Sequence, residues 1–283
     1  MTSGGGRRFG QALLAPITLL YMLFLLAPIS FFLVMSLFKY SPFELWEVTV
    51  TGENFARLLF DPYYRAIIFL TLKIAALTAI FSLLLGYPLA YFLARTTSLW
   101  RGVLMFLVIA PLMTGVIVRT YGWIVLLGTE GAVNKALLRL GLIEAPLKIL
   151  NSEAAVLVAL VHILMPYMVF PLFSSLASQD PNVERAAMTL GAGRIRTFLE
   201  VTLPLSKPGI LMGSALVFTL TAGAVVTPAL LGGRKVQMLG QTIYELVLST
   251  LNWPLASAVA FILVVCQFSI IFLYFRGGRR RAA

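Results

Sequence analysis

Charge is what this sequence has least of. Only 12% of its 283 residues are Asp, Glu, Lys or Arg, against the roughly 25% usual in a soluble domain. There is one cysteine, Cys266, which excludes an intramolecular disulfide and a multi-cysteine metal site and is read as a small core residue. The one histidine, His162, rules out an H-E-x-x-H zinc motif, and no G-x-x-x-x-G-K-S/T phosphate loop occurs, so ATP binding by that route is excluded. Gly191-x-Gly193 starts like a dinucleotide fingerprint, but Arg196 occupies the third glycine position and no strand precedes it. No catalytic residue and no metal site can be assembled, so the chain is not expected to act as an enzyme.

What is there is apolar. The chain is 60% hydrophobic, with a mean hydropathy of +0.94. Apolar runs of ~20 residues recur along it, as transmembrane helices require. The spans are expected at about 11–38, 66–94, 102–127, 154–176, 209–231 and 254–275. The first run is too long for a signal-peptide core and lacks a cleavage site. Short helices are expected over 132–140 and 236–251 in the loops. The fold expected is thus an all-α membrane protein with six transmembrane helices. A tail of residues 1–10, Gly-rich and irregular, precedes the membrane domain (11–275), and a basic tail (276–283) follows.

Orientation follows from the basic residues. With both termini cytoplasmic, the inner segments hold Arg7, Arg8, Arg95, Arg101, Arg185, Arg194, Arg196, Lys207, Arg276, Arg279, Arg280 and Arg281. The longer outer loops hold Lys39, Arg57, Arg65, Lys135, Arg139, Lys148, Arg234 and Lys235. Positive density is higher inside, as the positive-inside rule demands. The net charge of +11 is therefore membrane topology and not a nucleic-acid footprint.

The most structured polar stretch, 178–207, joins spans four and five on the cytoplasmic side. Asp180-Pro181 is an N-cap and first-turn signature. Val183, Ala186, Ala187 and Leu190 form one apolar stripe, and Gly191 and Gly193 supply a turn. Ile195, Phe198 and Leu199 repeat the helical spacing, and Leu203-Pro204 and Lys207-Pro208 are expected to close the unit. Two short amphipathic helices at a membrane surface, hinged by glycine, make a docking element.

Two ionisable residues fall inside spans, and such residues are functional candidates. Lys73 lies close enough to the outer end of its helix to snorkel. Arg119 either lines a polar cavity or snorkels outward. Tyr87, Tyr121, Tyr167, Thr221 and Thr227 add polar groups along a candidate pathway. His162 reads as a packing or interhelical hydrogen-bond residue, with a substrate or proton role as the alternative.

The pattern Ala186-Ala187-x-x-x-Gly191, nine residues, then Val201-x-Leu203-Pro204 resembles the EAA loop of permease subunits of bacterial ATP-binding-cassette importers. Glu53-Asn54-Phe55, Asp61-Pro62-Tyr63, Leu85-Gly86-Tyr87-Pro88-Leu89-Ala90, Arg119-Thr120-Tyr121-Gly122, Leu164-Met165-Pro166-Tyr167 and Asn252-Trp253-Pro254 are similar to its spermidine/putrescine-type branch. The resemblance covers about residues 11–275. It implies a coupling helix that fits a groove on a cytoplasmic ATPase, with Val183, Glu184, Arg185, Ala186, Ala187, Leu190, Gly191, Ile195, Phe198 and Pro204 in the docking unit. The family's glutamate position falls on Arg185, with Glu184 one residue earlier. The resemblance further implies a cytoplasmic ATPase dimer holding ATP and Mg, a second similar permease subunit, an extracytoplasmic solute-binding protein, and a place in the bacterial inner membrane. The solute implied is polyamine-like or a related amine or opine, although no acid lies within any span. The alternative is an ion-coupled secondary transporter, which would want intramembrane acids and inverted repeats, and the sequence displays neither.

Overall fold

The computed structural model describes residues 3–279, with side chains placed for residue 14 and for 16–272. Residues 1–2 and 280–283, parts of the two expected tails, lie outside them. The chain divides into two compact units, one of residues up to 64 with 243–262, the other of 65–242 with the residues from 263 on.

The first unit carries α1 (Ser3–Met35), a hairpin of β1 (Lys39–Ser41) and β2 (Leu45–Glu47) paired antiparallel, and α2 (Glu53–Phe60). Helix α1 begins eight residues earlier than the sequence suggested, so the Gly-rich segment from Ser3 is helical. Within its apolar stretch the side chains from Pro16 to Val34 are all exposed, and only Met35, at the end, is buried. Asn54 staples the exit from α1: its Nδ2 donates to the Ser36 and Phe38 carbonyls at 2.9 and 2.8 Å. Tyr40 Oη donates to the Thr250 carbonyl, and Trp46 lies 6.4 Å from Trp253.

The second unit is built on α3 (Pro62–Arg95), α4 (Trp100–Ile109), α5 (Val116–Leu127), α6 (Ala132–Arg139) and α7 (Glu153–Ala177). Then come α8 (Pro181–Thr189), α9 (Arg194–Thr197), α10 (Leu203–Leu205) and α11 (Lys207–Ala222). Helices α12 (Leu239–Leu248) and α13 (Trp253–Arg279) follow, with residues 243–262 of this stretch belonging to the first unit. Five helical stretches among the described residues are long and apolar enough to cross a membrane, six if the bent pair Arg194–Leu205 and Lys207–Ala222 counts as one span.

Helix α7 is the core. Met168, Val169, Leu172 and Leu176 are fully buried. Lipid is as apolar as leucine, so helix association here depends on close packing, which small residues permit. A Cβ on Gly209 would stand 2.6 Å from Ser175 Cβ, and one on Gly213 would stand 2.7 Å from Met168 Sδ. α11 therefore lies directly on α7.

Two expected spans are interrupted. The run 102–127 is not one helix: α4 passes into a 3-10 turn at Ala110–Met113, and α5 starts only after Gly115. Pro111 lacks the amide that would continue the ladder. The run 209–231 stops as α-helix at Ala222, passes through irregular backbone at 223–225 and resumes as helix at 226–227, leading into a π-turn at Pro228–Gly232. Gly223 and Pro228 bracket that break. The prolines expected to close the 180–208 unit instead sit in first turns, Pro204 in α10 and Pro208 in α11, where a missing amide costs nothing.

Candidate functional site

The 178–207 stretch folds as its sequence dictates at its first helix. Asp180 caps α8, its Oδ1 accepting from the Asn182 amide at 2.9 Å, with Pro181 in the first turn. The helix ends at Gly191, whose φ of +90° is cheap only for glycine. The Gly191 and Ala192 amides turn back to the Met188 and Ala187 carbonyls.

The apolar stripe is uncovered. Leu190 is 89% exposed and Ile195 77%; Val183 and Ala186 are exposed and Ala187 is half-buried. Leu190 and Ile195 are its barest members. Exposed apolar residues in a row mark a binding surface.

Other members of the expected docking set turn inward. Glu184 Oε1 accepts from Arg95 Nη2 at 2.6 Å and from Thr202 Oγ1 at 2.9 Å. Both charged side chains are mostly buried, 18% and 15% exposed. Arg95 Nη1 also donates to the Leu176 and Gln179 carbonyls, near and beyond the C-terminal end of α7, where a cation is favoured. Phe198 packs edge-on against Tyr87 and Tyr91, at 5.5 and 6.2 Å. Pro204 is half-buried, whereas Arg185 is exposed, with Nη1 3.4 Å from Asn182 Oδ1. The outward charge beside the stripe is therefore Arg185.

The candidate pathway residues are not all brought together. Arg119, Tyr167 and Thr227 line one cavity of about 280 Å³, walled also by the irregular backbone at 224–225. Arg119 Nη1 donates to the Ile163 carbonyl at 3.2 Å, in the turn that Pro166 loosens by lacking an amide. Its Nε is buried without a partner. Thr227 Oγ1 lies 3.1 Å from Thr120 Oγ1. Thr221 is buried and donates to Val217 in its own helix. Tyr121 is exposed and outside this cavity. Tyr87 is buried, with its hydroxyl 2.9 Å from Ser206 Oγ, so it belongs to the base of the docking unit.

His162 accepts a hydrogen bond at Nδ1 from the Trp123 indole, 3.2 Å away. This joins α5 to α7, as the packing reading expected. Lys73 forms an ion pair with Glu153 at 2.6 Å. Sequence reasoning missed that pair, the Arg95–Glu184 pair and the Tyr87–Ser206 contact, because residues 80 to 119 positions apart leave no local spacing to read.

Residues 82–281 match the family described as binding-protein-dependent transport system inner membrane component. The spermidine/putrescine transport system permease protein PotB of Haemophilus influenzae is 36% identical over 256 residues, 90% of this chain and 89% of the relative. PotB of Escherichia coli K12 is also 36% identical, over 82% of this chain and 84% of that one. The fold is similar to that in a bacterial alginate ABC transporter structure in complex with an alginate pentasaccharide-bound periplasmic protein. There the TM-score is 0.77 over 96% of this chain and 94% of that one, at 17% identity. A secondary transporter is thereby set aside, and ATP hydrolysis resides on a separate subunit. This chain belongs to the binding-protein-dependent transport system inner membrane components, as a permease subunit of an ABC importer.

Proposed function

We propose that the chain is one half of a paired permease that passes a polyamine, or a related small amine or opine, into the cell. In this reading both termini are cytoplasmic, α8 docks on the ATPase, and segments 39–65, 128–151 and 232–253 receive an external binding protein. The exposed stripe ending at Leu190, on a helix fixed by a side-chain cap and a positive-φ glycine, carries it. ATP and Mg²⁺ are held by the ATPase subunits and supply the driving free energy.

This chain's own part is to receive movement. Val183, Ala186, Ala187, Leu190 and Ile195 contact the ATPase groove. Gly191 sets the turn, and Glu184, Phe198 and Pro204 brace the unit from within. A rigid shift of α8 then passes into α7 and α11, which their glycine contacts hold as one body, and access switches sides.

The solute class rests on the similarity to the spermidine/putrescine permeases. The cavity beside the 223–225 break supports it physically. Irregular backbone at membrane depth belongs where it lines a cavity, and carbonyl and tyrosine oxygens suit an ammonium group. Arg119 is turned to the Ile163 carbonyl of α7, and Tyr121 and Thr221 are secondary members of the pathway. The carboxylates a polyamine favours come from the second permease subunit.

The test is reconstitution of the purified complex in proteoliposomes with labelled spermidine. Uptake requiring ATP, the binding protein and Leu190 is expected. Transport by this chain alone, on an ion gradient, would overturn the proposal.

A further inference from the structure

A cavity of about 850 Å³ opens at the end of the second unit opposite the docking helix. It lies between the C-terminal end of α5 and the N-terminal end of α7. Helix α7 has 25 residues and so spans roughly 37 Å, more than the ~30 Å hydrocarbon core. α8 follows one end of α7 and the cavity sits at the other, so the two lie on opposite membrane faces.

Three cations line this cavity: Lys148, Arg234 and Lys235. They come from two loops, Lys148 and Arg234 standing 86 positions apart, and the backbone clamps those loops together. The Asn151 amide donates to the Leu231 carbonyl at 2.8 Å. Gly233, at φ +54°, approaches so closely that a Cβ there would stand 2.6 Å from Asn151 Oδ1. A side chain at 233 would therefore push Arg234 and Lys235 away from Lys148.

No acid lines the cavity. The nearest in sequence, Glu153, is engaged by Lys73, and Glu130 and Glu144 are not among the lining residues. Three exposed cations held in one concavity, with Thr129, Asn151 and Ser152 as further polar groups, create a local positive field. It stands on the face where the density of basic residues is the lower of the two.

We infer that this cavity is a socket for an acidic protrusion of the external binding protein, with Lys148, Arg234 and Lys235 as its charged wall. The inference rests on the proposed orientation and deepens it by naming the chemistry of the contact. Lys148 reads one edge of the acidic group and the Arg234–Lys235 pair the other. The clamp at Asn151 and Gly233 holds the walls apart at a fixed width. Charges of this kind raise the rate of encounter and fix orientation.

The test uses the complete transporter in nanodiscs, titrated with its binding protein loaded with spermidine, and reads ATP hydrolysis. For the K148E/R234E/K235E variant the half-saturating concentration of binding protein is expected to rise roughly tenfold, with the saturated rate nearly kept. The salt sensitivity of half-saturation, present in the wild type, is expected to vanish. Acid-to-lysine changes on the binding protein that restore the triple variant would identify the acidic partner. The single variants K148Q, R234Q and K235Q serve the same reading should the triple one fail to assemble, each expected to raise half-saturation about twofold. Unchanged half-saturation overturns the inference. So does an effect seen only with phosphatidylglycerol in the disc, which would assign the cavity to a lipid headgroup. A wild-type complex indifferent to its binding protein would instead overturn the parent reading.

Discussion

Arg95 and Glu184 meet at 2.6 Å although 89 residues separate them. One ends α3; the other sits in the first turn of α8. Because Arg95 also holds the Leu176 and Gln179 carbonyls, a single guanidinium joins α3, the end of α7 and the docking helix. Movement of α8 cannot leave α3 behind without breaking a mostly buried pair.

Removing one partner leaves the other charge partly buried and unpaired, which costs about 3 kcal/mol. Glu184→Ala and Arg95→Ala are each expected to lower thermal stability in detergent by that order. The double variant should cost less than the sum, with a coupling of roughly 1–3 kcal/mol. Strict additivity in a double-mutant cycle would show that the two do not act together.

Leu190→Asp places a carboxylate on the uncovered stripe. Insertion and folding should be unaffected, since Leu190 packs on nothing in the described chain. Co-purification of the ATPase and stimulated ATP hydrolysis should be lost. Normal uptake by this variant would refute the docking role.

Gly191→Ala tests the turn. The φ of +90° costs a residue with a Cβ about 1–2 kcal/mol, while the site itself has open space around it. A partial loss of uptake is expected, milder than for Leu190→Asp, together with a small drop in melting temperature. Full activity with unchanged stability would mean that the turn relaxes freely.

Gly213→Val tests the α7–α11 contact. A side chain there meets Met168 Sδ at 2.7 Å and the Met168 carbonyl at 3.2 Å. Overpacking typically costs about 1–3 kcal/mol, and more where backbone must shift. Gly213→Ala should be tolerated better, because the thioether end of Met168 can move. Equal melting temperatures for wild type and Gly213→Val would show that the helices are not held at this point.

Local chemistry was readable and long-range chemistry was not. The Asp180 cap, the Gly191 turn and the 132–139 helix stand where the sequence placed them, because each depends on neighbours within one or two turns. The breaks at Pro111 and Gly223 were visible as residues, yet apolar periodicity alone reads straight through them. Glu184, Phe198 and Tyr87 were assigned roles from position, but their surroundings come from α3 packing on the loop. That packing pairs residues 89 to 119 positions apart, and no spacing rule reaches so far.

Helix α1 and helix α7 face different constraints on change. The side chains of α1 from Pro16 to Val34 are all exposed within the chain, while over half of the apolar stretch of α7 is buried. Within its own chain, α1 can drift freely among apolar residues as long as it spans the bilayer. α7 cannot: most single exchanges there disturb a neighbour. Random libraries of this gene should therefore accumulate neutral variation in residues 16–34 and far less at the buried positions of 155–176.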